Sequence, residues 1–208
     1  FVVRKMSESQ VESGFRHGQT VTACLVALSH GTNDAQKTMG IITLTLIAVG
    51  FQPSGTGPEL WVVAICGLAI ALGTYMGGWR VIRTLGKGLT EISTPQGFAA
   101  EAASATTILV SSHLGFALST TQVCSGSIIG TGLGKKGNPV NWGVAGRMLI
   151  AWLVTFPAAG IVGALACALA KTGVWGTVAT VAIAVCVALI IFRLSKRNPV
   201  NSGNVNDS

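Results

Sequence analysis

The sequence is short of charge. Only 10% of its 208 residues are Asp, Glu, Lys or Arg, against roughly 25% in an average soluble domain. So sparse a polar surface argues against a disordered chain and against an ordinary water-soluble enzyme. Proline is also scarce, and the 27 glycines follow no triplet period, which excludes collagen-like and low-complexity readings. Aromatics make up 6% and do not interleave with basic residues as they would on a nucleic-acid-binding face. The five cysteines, Cys24, Cys66, Cys124, Cys167 and Cys186, lie inside apolar runs with no short spacing. They read as reduced packing residues rather than as a metal site or a disulfide framework.

Long apolar runs are what the chain does have. Half its residues are hydrophobic, and crossing ~30 Å of hydrocarbon takes roughly 20 helical residues. Candidate spans are Val21–Val49, Leu60–Trp79, Val144–Ala170 and Val174–Phe192. The expected class is an all-α polytopic membrane protein. The net charge of +7 fits this class by its placement. Arg80, Arg83 and Lys87 follow one run, Lys135, Lys136 and Arg147 flank others, and Arg193, Lys196 and Arg197 follow the last. Basic residues gathered at span ends set orientation. With those ends cytoplasmic, Gly50–Glu59 lies outside, and Gln96–Gly134 must begin and finish on the inner side. That requires a helical hairpin, either two full spans or a re-entrant loop. Trp61, Trp79, Trp142 and Trp175 fall at or near span ends, as interfacial aromatics do. Gly73/Gly77 and Gly126/Gly130 have the spacing that permits close helix approach.

Three parts are expected: a polar, amphipathic lead-in over 1–20, a membrane-embedded body over 21–194 and a polar cytoplasmic tail over 195–208. Phe1 is no initiator and Phe1–Gln19 reads as no cleavable signal, so the chain is expected to be a piece of something longer.

Two polar interruptions break the apolar pattern. The first, Ser29-His30-Gly31-Thr32-Asn33-Asp34-Ala35-Gln36-Lys37-Thr38, sits between two apolar flanks of about nine residues, each too short to span alone. So many polar groups in lipid must face protein or water, and a discontinuous helix unwound near Gly31 is the expected arrangement. The second comprises Ser111-Ser112-His113, Ser119-Thr120-Thr121-Gln122 and Ser125-Gly126-Ser127. Hydroxyl residues ahead of a helical run cap its N-terminus and leave backbone N–H groups and a positive dipole end that suit an anion.

Of the seven acidic residues, only Asp34 and Glu101 fall at membrane depth. Carboxylates there usually serve cation coupling or proton relay, and both are candidates for it. An ion pair with Lys37, at i+3, is the alternative role for Asp34. Other patterns fail. Gly132-Leu133-Gly134-Lys135-Lys136-Gly137 has the glycine spacing of a dinucleotide loop but no strand before it. Ser29, His30, His113 and Ser127 lack the G-x-S-x-G or H-E-x-x-H context of a membrane protease. The chain is not expected to be an enzyme.

The run from Ser29 to Lys37 resembles the signature of the inorganic phosphate transporter (PiT) family. Pro95-Gln96-Gly97-Phe98-Ala99-Ala100-Glu101, continuing to Leu118-Ser119-Thr120-Thr121-Gln122, resembles its second signature block. Order and separation match the C-terminal repeat, and the similarity covers nearly the whole chain. The resemblance implies one half of an inverted-repeat transporter, with a broken helix and a helical hairpin. It implies a symporter of inorganic phosphate coupled to H+ or Na+, with no other cofactor and with a metal–phosphate complex as one form of substrate. Carried over, Asn33, Ser119, Thr120, Thr121 and Gln122 would bind phosphate. Asp34 and Glu101 would serve the coupling cation, as metal ligands only if it is Na+. Two positions depart from the commoner pattern. Lys37 stands where an Asn is usual, as in a prokaryotic variant of the motif, and would either attract the anion or displace a sodium ion. Gln122 stands for a His, which leaves the coupling ion open. The implied partners are phosphate, the lipid bilayer and an N-terminal repeat half on the same or a second chain, with a homodimer allowed and no nucleic acid. The implied location is the prokaryotic cytoplasmic membrane, with the C-terminus inside. A permease of the same fold for another oxyanion such as sulfate, or a non-transporting membrane subunit, is the alternative.

Overall fold

The structure, a computed structural model, describes residues 7–135 and 140–195. Lys136, Gly137, Lys196, Arg197, the first six residues of the lead-in and the tail from 196 lie outside the described residues. The described residues form helices joined by short non-helical segments, with no strand among them, and fall into two compact units that divide at Val140/Asn141.

The first unit holds α1 (Glu8–Ala48), α2 (Leu60–Arg83), α3 (Thr94–His113) and α4 (Thr120–Gly134), with a five-residue π-helical turn, Thr84–Gly88, after α2. α1 starts inside the polar lead-in. Ser7 and Gln10 form a reciprocal capping box there, satisfying two backbone donors that a helix start leaves orphaned. At 41 residues it is about 60 Å long, twice the hydrocarbon thickness. α1 packs on α2 and α3, and α3 packs on α4. Near its start α1 lies close against α3: Phe15 meets Phe98 edge-on at 5.7 Å. A Cβ at Gly97 would meet the amide end of the Gln19 side chain, which would have to swing aside.

The break expected at 29–38 is absent. α1 runs through it unbroken, and Gly31 keeps an ordinary helical φ. The polar residues are spaced for a face rather than for a loop. Ser29 and Asn33 are buried, His30, Asp34 and Lys37 follow beside them at i+3 and i+4, and Leu28 and Ile41 point outward. Hydroxyls return to the helix's own carbonyls: Ser29 Oγ donates to Leu25 O at 2.5 Å and Thr32 Oγ1 to Leu28 O at 2.9 Å. No backbone group needs to be freed.

The interruption falls instead between α3 and α4, at residues 114–119. Gly115, at φ +78, turns the chain, while the Gly115 and Phe116 amides close on Ser112 O and Ser111 O at 3.2 and 2.9 Å. The expected hairpin is thus present. α4, 15 residues and about 22 Å long, is too short to cross a bilayer alone.

Asn141 begins the second unit by capping α5 (Trp142–Ala170) through the Val144 amide at 3.2 Å. α6 (Val174–Ser195) returns after a three-residue turn and packs on α5. These two helices are long and apolar enough to cross a membrane, whereas the apolar run in α2, Leu60–Tyr75, is shorter. Large apolar side chains lie outside, with Phe156 87% and Leu153 67% exposed, and α5 buries none of its residues. Inside the first unit the buried positions are mostly small or hydroxyl-bearing: Ser29, Ala35, Ala100, Ser104, Ala105, Thr120 and Ser125. Apolar outside and small inside suits a hydrocarbon solvent. Gly126 and Gly130 face open space, so among the described residues neither makes the close approach that its spacing permits.

Candidate functional site

The polar face of α1 meets the loop between α3 and α4. Asp34 is the hub. Lys37 Nζ donates to Asp34 Oδ1 at 2.8 Å and, across the groove, to the Leu118 carbonyl at 2.6 Å. The Leu118 carbonyl lies in the non-helical segment, with no helical ladder of its own to join. Thr120, buried at the first turn of α4, donates its hydroxyl to Asp34 Oδ2 at 3.1 Å. With that proton committed, Thr120 Oγ1 can only accept from His30 Nδ1 at 3.0 Å. His30 therefore carries its proton on Nδ1, which also faces Asp34 Oδ2 at 3.3 Å.

One position earlier, Asn33 is 4% exposed and donates through Nδ2 to Ser112 Oγ at 2.8 Å. Its Oδ1 is buried with no hydrogen-bond partner among the described residues. An acceptor left in that state has lost water without a replacement, and a ligand's donor or a cation would supply one.

Ser119, Thr121 and Gln122 complete the N-terminus of α4. Ser119 is its N-cap and accepts from the Gln122 amide at 3.4 Å. All three are exposed, in contrast to Thr120. The first amides of α4 have no partner within the helix, and the dipole end there is positive.

Glu101 is elsewhere. Its Oε2 accepts from Thr22 Oγ1 at 2.7 Å, and Cys124, itself hydrogen-bonded to Ser104, feels its charge. Thr22 precedes Asp34 by twelve residues on α1, about 18 Å along the axis. The structure does not bring the two carboxylates together. Among the described residues Glu101 forms no ion pair, and no group of three potential ligands gathers round a metal position.

Of the residues singled out from the sequence, the structure brings Asn33, Asp34, Lys37 and Thr120 into one neighbourhood. Sequence reasoning missed His30 as Asp34's neighbour, although the i, i+4 spacing was a signal, and it missed Ser112 and Thr22, whose roles depend on contacts between distant segments.

The sequence profile of the phosphate transporter family matches residues 2–163. A probable low-affinity inorganic phosphate transporter of Mycobacterium tuberculosis is 53% identical over 206 residues, 98% of this chain and 49% of its own length. The corresponding protein of Mycobacterium leprae is 50% identical over all of this chain and 51% of its own length, and that of Bacillus subtilis 43% identical over 73% of this chain and 46% of its own. This chain spans about half the length of the curated relatives it matches. A solved structure described as the sodium-dependent phosphate transporter shares 30% identity and a TM-score of 0.64, covering 74% of this chain and 40% of that one. These relatives are transporters rather than enzymes, and the chain belongs to the phosphate transporter family.

Proposed function

We propose that this chain is one half of a secondary transporter that carries inorganic phosphate inward across a prokaryotic cytoplasmic membrane, coupled to H+ or Na+. The observation that carries the proposal is the cluster of Asp34, His30, Lys37 and Thr120, with the buried, unpartnered Asn33 oxygen one position away. Phosphate oxygens are held at the start of α4 by the Ser119 and Thr121 hydroxyls, the Gln122 side chain and backbone amides including that of Thr120, while Lys37 supplies attraction. The family's second half, on the same or another chain, supplies the opposing wall, and the membrane-embedded body over 21–194 moves against it. The C-terminal tail is cytoplasmic. A metal–phosphate complex is an allowed cargo.

The same cluster favours phosphate over sulfate. At neutral pH phosphate keeps a P–OH that can donate, and sulfate has none. Asn33 Oδ1 is an acceptor without a partner among the described residues. An anion without a donor leaves it unpaired, which is how sites built for a hydroxyl reject the analogue lacking it.

Glu101 is the carboxylate at which a mobile cation offsets the substrate's charge. The test is radiolabelled phosphate uptake by the complete transporter in cells lacking other phosphate systems. Asp34→Asn and Glu101→Gln are each expected to lower uptake, and excess sulfate to compete poorly. Unchanged uptake in both variants contradicts the assignment, and full competition by sulfate makes the site a general oxyanion site.

A further inference from the structure

We infer that Lys37 is a tethered cation that takes the place of a mobile alkali ion at Asp34. The inference rests on the transport reading above and names its ion requirement at this site. The Lys37 ammonium lies between a carboxylate oxygen, Asp34 Oδ1 at 2.8 Å, and a main-chain carbonyl, Leu118 O at 2.6 Å. A carboxylate and a carbonyl released from a helix form the oxygen set that a hard monovalent cation takes in transporters with interrupted helices. Here both oxygens are already occupied by a positive charge on a stem that is part of α1.

The remaining Asp34 oxygen is committed as well, accepting from Thr120 and facing His30 Nδ1. A second cation would have to displace the ammonium, which cannot diffuse away and whose charge repels it. Among the described residues Lys37 is the one lysine or arginine paired with an acid at membrane depth; the other such pair, Arg16–Glu12, is exposed near the start of α1. Asp34 therefore contributes no sodium dependence in this chain, although a relative of similar fold is described as sodium-dependent. The loop end keeps its charge balance with or without sodium. Glu101, with no built-in cation, remains the carboxylate open to a mobile ion.

The experiment measures thermal stability of the complete purified transporter in sodium chloride against choline chloride at equal ionic strength, without phosphate. Wild type and Asp34→Asn are expected to show the same sodium response. Lys37→Met should gain a response, with sodium binding at least about fivefold tighter than in wild type. Lys37→Arg should not gain it, and the double variant Lys37→Met/Asp34→Asn should lose it. A wild-type response abolished by Asp34→Asn overturns the inference, as does a folded Lys37→Met protein with the wild-type response. If Lys37→Met does not fold, the pair of wild type and Asp34→Asn decides alone. Phosphate uptake is read separately, so its absence alongside the expected sodium pattern defeats the transport reading and leaves this one standing.

Discussion

Asp34 on α1 and Glu101 on α3 sit in opposite circumstances, Glu101's partner Thr22 lying about 18 Å along α1 from Asp34. Asp34 is enclosed by a lysine, a histidine and a threonine, and its charge is balanced from within. Glu101 has one hydroxyl partner and, among the described residues, no cation. A carboxylate at membrane depth is costly unless something offsets it. At Asp34 the fold does so permanently. On the reading proposed above, the offset at Glu101 comes from a proton or an ion that arrives and leaves. That reading assigns one carboxylate to shaping a substrate site and the other to coupling.

The largest effect short of removing either carboxylate is expected from Thr120→Val. It deletes the hydroxyl that ties Asp34 to His30, and hydrogen bonds to charged groups contribute about 1.5–3 kcal/mol. Phosphate uptake by the complete transporter should fall by about ten- to a hundredfold, with its ion dependence unchanged. A change in ion dependence would place Thr120 on the coupling side. Thr22→Val removes the corresponding hydroxyl at Glu101. The concentration of coupling ion needed for half-maximal uptake should shift by about tenfold, while competition by sulfate stays as in wild type. A shift in anion selectivity would merge the two regions.

Smaller effects test the helix that keeps the regions apart. Gly97→Ala brings a Cβ against the end of the flexible Gln19 side chain where α1 meets α3; that side chain swings aside, and stability in a thermal melt should change by less than about 1 kcal/mol. Gly31→Ala meets open space in an unbroken helix and should stabilise it by up to about 1 kcal/mol. Destabilisation by Gly31→Ala would show that α1 unwinds there.

Much of the fold was legible in the sequence. The apolar runs placed α2, α5 and α6 within a few residues of their ends, and the basic residues flanking 96–134, by requiring both its ends on one side, called for the α3–α4 hairpin. The polar run at 29–38 was misread because its content was weighed along the chain and not around the helix. Ser29, His30, Asn33, Asp34 and Lys37 recur at i+3 and i+4, so a continuous helix turns them all toward α3 and α4. The start of α1 was also hidden, since a polar stretch reads the same whether it is a loop or a helix standing beyond the apolar zone. For the site, the signature residues around Asp34 and Thr120 were identifiable. The separation of Glu101 from Asp34 was not, because it depends on the Thr22–Glu101 contact between segments 79 residues apart.

The central claim is that coupling belongs to Glu101 and not to Asp34. Its most direct test is the dependence of phosphate uptake on the proton and sodium gradients, measured in the complete transporter carrying Glu101→Gln or Asp34→Asn. The account predicts that residual uptake loses its gradient dependence in Glu101→Gln and keeps it in Asp34→Asn. Loss in Asp34→Asn with retention in Glu101→Gln would contradict it.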